Sequence, residues 1–212
     1  MSSSPIIVIS GCTASGKSDV ALKLAKRING VILNADSRQI YKEVSIGTAK
    51  PNLILNESNQ WEKEGITHYL YSQTSINKKY NLYQYQTDAF KILNQLSPQI
   101  TPILTGGTGL YIDSVIFNYK LKTLSQPQTE VADNLSDFTA KELQRLVPSE
   151  ILNKLNESDR QNKNRLIRVI QKGLPSTEKG TPFEHIYFFL DIEKDILEKR
   201  IEQRVNQMFK NG

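Results

Sequence analysis

Eight residues near the start of the chain, Gly11-Cys12-Thr13-Ala14-Ser15-Gly16-Lys17-Ser18, follow directly on an apolar run from Pro5 to Ser10. No other stretch restricts the fold as strongly. Its two glycines let the backbone curl so that successive N–H groups face one concavity, and a helix starting there adds its positive end. Lys17 supplies a cation for a diphosphate or triphosphate tail, and the Ser18 hydroxyl is placed to meet a Mg²⁺ ion. A glycine-rich turn with a surface lysine is the plain alternative, but the strand-like run before it and the helical pattern after it weigh against that. The chain is expected to bind a phosphorylated ligand here.

The rest of the pattern extends this loop into a fold. Pro5–Ser10 is apolar on both faces and reads as a buried parallel strand. Ser15 to Ile28 reads as a helix with Val20, Leu24 and Ile28 on one face and Gly30 closing it. Val31-Ile32-Leu33 is a second short strand, Thr101 to Thr105 a third and Ile186 to Leu190 a fourth. Leu82, Tyr85, Ala89, Leu93 and Leu96 recur at helical spacing and stop before Pro98. Strands alternating with helices predict an α/β fold of the P-loop NTPase type, a parallel sheet flanked by helices on both faces. Asn52 to Gly65, polar and asparagine-rich, reads as an excursion loop. Lys120 to Asp137 reads as a connector into a small helical insertion, from about Thr139 to Lys172, holding two or three helices. The expected division is residues 1–119 for the first part of the core, 120–180 for the insertion and 181–212 for the return to the core.

Composition narrows the setting. Hydrophobic residues at 38% and charged residues at 23% fit a soluble globular chain. No apolar run approaches the roughly 20 residues that span a bilayer, and the N-terminus does not resemble a secretion signal. Cys12 is the only cysteine, so no internal disulfide forms; a cytoplasmic, monomeric protein with no membrane association is expected. The net charge of +5 permits a polyanionic partner without requiring one. Its distribution is more telling: Arg160, Lys163, Arg165, Arg168 and Lys172 share a stretch free of acidic residues.

Ligands of open parallel sheets bind beyond the carboxyl ends of the strands. Three strands end there in the phosphate loop, in Asp36-Ser37-Arg38-Gln39 and in Gly106-Gly107-Thr108-Gly109. Asp36 fits a general base or metal ligand, and equally a turn former. Thr108 can offer a hydroxyl to an anion or simply make a turn. Lys50 is a solvated loop lysine or a phosphate contact, and spacing leaves both open. Arg165, Arg168 and Lys172 share one helical face beside apolar Leu166, Val169 and Ile170, as a solvated surface or as a nucleic-acid backbone contact. Arg200 and Arg204 border the stripe Leu197, Ile201, Val205, Met208, reaching over a cleft edge or snorkelling. His68 and His185 lack partners at metal-ligand spacing and read as structural. No Asp-x-x-Gly follows a strand and no Asn-Lys-x-Asp is present, which argues against a GTPase.

Four segments, Gly11 to Ser18, Ala35-Asp36-Ser37-Arg38-Gln39-Ile40-Tyr41, Ile46-Gly47-Thr48-Ala49-Lys50-Pro51 and Gly106-Gly107-Thr108-Gly109-Leu110-Tyr111, occur in this order. Together they closely resemble the tRNA dimethylallyltransferases, the tRNA isopentenyltransferase family. The likeness returns at Asn164-Arg165-Leu166-Ile167-Arg168 and at Arg200-Ile201-Glu202-Gln203-Arg204-Val205. It implies transfer of a dimethylallyl group from dimethylallyl diphosphate to the exocyclic amine of the adenosine 3′ of the anticodon, in the tRNA anticodon stem-loop. By that resemblance Asp36 is the base, Thr108 hydrogen-bonds the leaving diphosphate, and Lys17 with Mg²⁺ on Ser18 neutralises it. The diphosphate set comprises Gly11, Cys12, Thr13, Ala14, Ser15, Gly16, Lys17, Ser18, Arg200 and Arg204. The tRNA set comprises Asp36, Ser37, Arg38 and Gln39 with Asn164, Arg165, Leu166, Ile167 and Arg168.

Cys12 stands where the family usually has proline, and Tyr69 where a second histidine is common. The pattern also stops at Asn211-Gly212 where family members continue with further helices, so a fragment or a reduced form is expected. Two other readings accompany the transferase: a small P-loop phosphoryl-transfer kinase, and an inactive tRNA-binding remnant.

Overall fold

The computed structural model describes residues 4–121, 135–173 and 178–210. By internal contacts the chain divides into two compact units, Met1–Tyr119 with Lys179–Gly212, and Lys120–Glu178. The elements run β1 (Ile6–Gly11), α1 (Lys17–Arg27), β2 (Gly30–Asn34), β3 (Ile54–Leu55), β4 (Trp61–Lys63), β5 (Ile66–Tyr69), α2 (Leu82–Gln95), β6 (Thr101–Gly106), α3 (Gly109–Ile116), α4 (Ala140–Leu146), α5 (Ser149–Leu152), α6 (Glu157–Gln161), α7 (Lys163–Lys172), β7 (His185–Leu190) and α8 (Lys194–Lys210).

The first unit is built on one seven-stranded sheet in the order β3-β4-β5-β2-β6-β1-β7. β5, β2, β6, β1 and β7 are mutually parallel, and β1 lies in the interior between β6 and β7. Strand alternation sorts the core into two layers. Ile6, Val8, Val31, Leu33 and Leu104 pack with Tyr85 and Ala89 of α2 and Ile112 and Val115 of α3. Ile9, Ile32 and Ile103 face the other way, onto Ala21, Leu22 and Ala25 of α1. The expected parallel sheet with helices on both faces is therefore present.

Three local expectations need correction. The buried residues of α1 are Ala21, Leu22 and Ala25, and Leu24 and Ile28 pack against the same layer as expected, while Val20 is 42% exposed. The small alanines let the helix come close: a Cβ on Gly30 would sit 3.1 Å from the Ala25 Cα. Gly30 thus opens β2 rather than closing α1, and Asn29, with φ +50°, makes the left-handed turn between them. Asn52 to Gly65 is not a plain loop, because β3 and β4 add to β5 as an antiparallel extension. The side chain of Asn56 shapes the β3–β4 turn by accepting from Ser58 and Gln60 N–H at 3.1 and 2.9 Å. Strands of two and three residues are too short to show a period of two, and backbone pairing alone defines them.

Among its described residues the second unit contains four short helical segments, α4 to α7, rather than two or three. Leu135, Leu143, Val147, Leu155, Leu166 and Val169 form its own core. Thr139 and Glu142 make a reciprocal capping box on α4. Asn156 and Asn162 cap α6 and α7 through their side chains. Most of the expected connector from Lys120 to Asp137 lies outside the described residues, as do the side chain of Lys172 and the terminal Asn211-Gly212.

Candidate functional site

The carboxyl ends of β1, β2 and β6 open onto a cleft of about 790 Å³. Its phosphate-loop wall runs from Thr13 to Ser18, joined by Asp36, Gln39, Ala49, Tyr71, Gly106 and Gly107. α8 contributes Arg200, Gln203 and Arg204. The loop turns through Ala14 and Gly16 at φ +63° and +90°, and Gly16 caps α1 in the left-handed region. This leaves the first N–H groups of an eleven-residue helix at the cleft, as an anion cradle requires.

Gly11 and Cys12 fall outside this lining. Their carbonyls instead accept from the Lys17 ammonium at 2.9 and 2.5 Å. Lys17 is therefore folded onto its own loop, ready to exchange carbonyl partners for an anion. Burial lowers its pKa below the ordinary 10.5, Asp36 opposes that shift, and the Arg204 guanidinium adds to it. Arg200 donates to the Ser15 carbonyl at 3.3 Å and Arg204 to the Thr48 carbonyl at 2.9 Å. Both arginines thus reach the cleft edge rather than snorkel. Among the described residues Lys17, Arg200 and Arg204 form no ion pair, and the Arg204 Nε is buried without a hydrogen-bond partner. Three cations without a carboxylate partner around a helix N-terminus make a site short of negative charge.

Asp36 is half-buried on the same cleft. It also forms a turn: one carboxylate oxygen accepts the Arg38 N–H at 2.8 Å, and its own N–H donates to the Asn34 side chain at 3.0 Å. Asn34, wholly buried, is further tied to the Leu70 carbonyl at 2.9 Å. Turn-forming and cleft-lining are both true of Asp36. The Thr108 hydroxyl accepts from the Ser37 N–H at 3.0 Å and donates to the Ser37 hydroxyl at 3.3 Å. It staples the glycine-rich loop to the Asp36 turn instead of standing free. Gln39, expected at a tRNA surface, is 8% exposed and donates to the Thr48 and Ala49 carbonyls at 3.0 and 3.3 Å. Lys50 is half-buried, and its ammonium donates to the Tyr41 carbonyl and to the Ser72 hydroxyl at 2.5 and 2.9 Å. Arg38 is exposed.

On the second unit, Asn164, Arg165 and Arg168 are exposed on α7. Arg165 pairs with Asp159, just outside the acid-free stretch. Leu166 is wholly buried and Ile167 packs against the same core, so these two side chains hold the helix rather than face a polyanion. His68 and His185 behave as expected, each ring Nδ1 bonded to a nearby backbone carbonyl at 2.8 Å.

Sequence reasoning missed Asn34 as the anchor of the Asp36 turn, and Tyr71. Tyr71 follows a parallel strand at its carboxyl end, the position that marks a site residue. The polar run before β5 hid that strand.

Comparison with known proteins places the chain in a family. A family model described as IPP transferase matches residues 39–212, and one described as isopentenyl transferase matches residues 4–68. A tRNA dimethylallyltransferase of Gloeothece citriformis is 38% identical over 216 residues, covering 98% of this chain and 68% of that protein. The tRNA isopentenylpyrophosphate transferase of Bacillus halodurans superposes with a TM-score of 0.63 at 27% identity, covering 98% of this chain and 67% of that one. A eukaryotic dimethylallyltransferase acting on tRNA shares the fold, with a TM-score of 0.77 at 23% identity over 99% of this chain and 54% of its own. Agreement over nearly the whole length makes the chain a member of the IPP transferase family.

Proposed function

We propose that this chain transfers a dimethylallyl group from dimethylallyl diphosphate to the exocyclic amine of the adenosine 3′ of the anticodon in tRNA. The observation that carries this reading is one cleft holding both an anion cradle with unpaired cations and, opposite Lys17, the carboxylate of Asp36. The cradle suits a diphosphate that departs, and the carboxylate suits an amine that must lose a proton. An aromatic amine is a weak nucleophile, so positioning and stabilisation of the leaving group carry most of the rate.

In this reading the N–H groups at the start of α1 hold the diphosphate. Lys17 leaves its loop carbonyls to meet the charge that develops, and Arg200 and Arg204 close over it from α8. Asp36 takes the amine proton, and Thr108 positions it through Ser37. Mg²⁺ fits the donor set: the exposed Ser18 hydroxyl lies on the cleft, whose lining also carries the oxygen donors of Asp19, Asp36 and Asp191. Such a site suits an ion held largely by diphosphate oxygens and water, with Ser18 as its protein ligand. When bound it would supply further charge neutralisation on the leaving group. Exposed Arg165 and Arg168, with Asn164, suit the phosphate backbone of the tRNA.

Labelled dimethylallyl diphosphate and tRNA test the reading, with label in tRNA the expected result. Consumption of ATP with a small acceptor would point to a kinase, and tRNA binding without turnover to a non-catalytic binder. Asp36→Ala should leave diphosphate affinity nearly intact and cut the rate by about 10²–10⁴-fold. Lys17→Ala should weaken donor binding and slow turnover together. Loss of donor binding in Asp36→Ala would make Asp36 a metal ligand and not the base.

A further inference from the structure

Tyr71 lies two residues beyond β5 and is 2% exposed, yet it lines the cleft together with Ser18, Lys17 and Asp36. Its ring is fixed in the apolar layer formed by Ile9, Leu22, Ile32 and Ile103, with the His68 ring 5.6 Å away. Packing alone would be served as well by phenylalanine. The hydroxyl is the surplus atom, and among the described residues it makes no hydrogen bond. Among the described residues the one fully buried side-chain nitrogen or oxygen left without a partner is the Arg204 Nε, so the Tyr71 oxygen keeps access to open space where the ring lines the cleft. The void of about 10 Å³ that Tyr71 shares with Ser18, His68 and Thr105 is at the lower limit for a single water. The missing partner is therefore best sought on the cleft side.

Burial, reinforced by the Asp36 charge, raises the phenol pKa above its ordinary value. It stays protonated and can only be a donor toward an anion. The cleft it lines also carries the phosphate-loop residues Thr13 to Ser18, and an oxygen of a diphosphate bound to that loop is an acceptor for it.

We propose that Tyr71 is a positioning residue of this cleft, its hydroxyl donating a hydrogen bond to a diphosphate oxygen of the prenyl donor. The inference rests on the reading of the cleft as a diphosphate site. No bond is made or broken by Tyr71; it fixes the diphosphate against the loop and strengthens its hold as the leaving group gains charge.

The test uses the full chain and inorganic diphosphate, with affinities measured by calorimetry for the wild type, Tyr71→Phe and Lys17→Ala. A hydrogen bond to a charged group corresponds to roughly a 10- to 100-fold loss of affinity in Tyr71→Phe. Its melting temperature without diphosphate should equal or exceed that of the wild type. Diphosphate should also perturb the tyrosine ultraviolet spectrum of the wild type and not that of Tyr71→Phe, a signature that a packing role would not produce. Weakened binding in Lys17→Ala with unchanged binding in Tyr71→Phe overturns the inference alone. Unchanged binding in both overturns the reading of the cleft and the inference with it. If Tyr71→Phe does not fold, absence of the spectral change in the wild type overturns the proposal.

Discussion

Gly106→Ala should damage this protein far more than the same change one residue later. A Cβ on Gly106 would stand 2.2 Å from both the carbonyl carbon and oxygen of Ala35, where ordinary contact begins at 3.4 Å. The obstruction is backbone, so no side chain can turn aside; the chain must retreat by more than an ångström. Three hydrogen bonds cross that junction: Ala35 N–H to the Thr105 carbonyl at 2.7 Å, Thr108 N–H to the Ala35 carbonyl at 3.0 Å, and Ser37 N–H to the Thr108 hydroxyl at 3.0 Å. At about 0.5–1.5 kcal/mol each, their loss costs about 2–4 kcal/mol. Less unfolded-state entropy returns about 0.4–1 kcal/mol of that. Residual strain adds to the loss, so a net fall of about 2–4 kcal/mol is expected, or about 5–15 °C in Tm for a chain of this size. A Cβ on Gly107 meets nothing within 4 Å, so Gly107→Ala should stay within about 0.5 kcal/mol of wild type. Thermal and urea melts of the two variants side by side check this, with prenyl transfer measured on whatever folded protein remains. Because the same junction holds the Asp36 turn, activity per folded molecule should fall in Gly106→Ala alone. Equal melting of both variants with the wild type would refute the steric argument.

The pH dependence of stability should carry the mark of His68, whose buried ring has a pKa below the ordinary 6.5. Below that pH the unfolded chain binds a proton that the folded chain refuses, so stability falls as the solution is acidified from about pH 6.5 toward the depressed folded pKa. Melts of His68→Phe should show a flatter slope in that window, and an identical slope would remove His68 as the cause. On α7, neighbouring positions should separate cleanly. Leu166→Ala, at a wholly buried site, should destabilise the second unit by about 2–5 kcal/mol. Arg168→Ala, at an exposed one, should leave the melt unchanged while weakening tRNA binding and lowering its salt dependence by about one phosphate contact; a salt slope equal to wild type would take Arg168 out of the interface.

Much of this was legible in one dimension. The phosphate loop, β1, β2 and β6 announced themselves because buried parallel strands are continuous apolar runs and because a glycine-rich turn between strand and helix has few other uses. That Asp36 and the phosphate loop share a cleft followed from the rule that parallel strands present their carboxyl ends on one side. What tertiary structure decided were the contacts whose partners lie far apart in the chain. Thr108 could be an anion ligand or a turn residue on local grounds, and only the approach of Ser37, 71 positions away, shows its hydroxyl committed. Lys50 and Gln39 likewise spend their donors on distant or looped-back carbonyls that no spacing reveals. Leu166 sat within a basic, polar-looking motif, and its burial came from the packing of α4 against α7. Val20 was grouped with Leu24 and Ile28 because hydrophobicity favours it there, whereas close approach to β2 demands alanine. Sequence determined which chemistry could assemble at the strand ends; the three-dimensional packing determined which of those donors remained free to perform it.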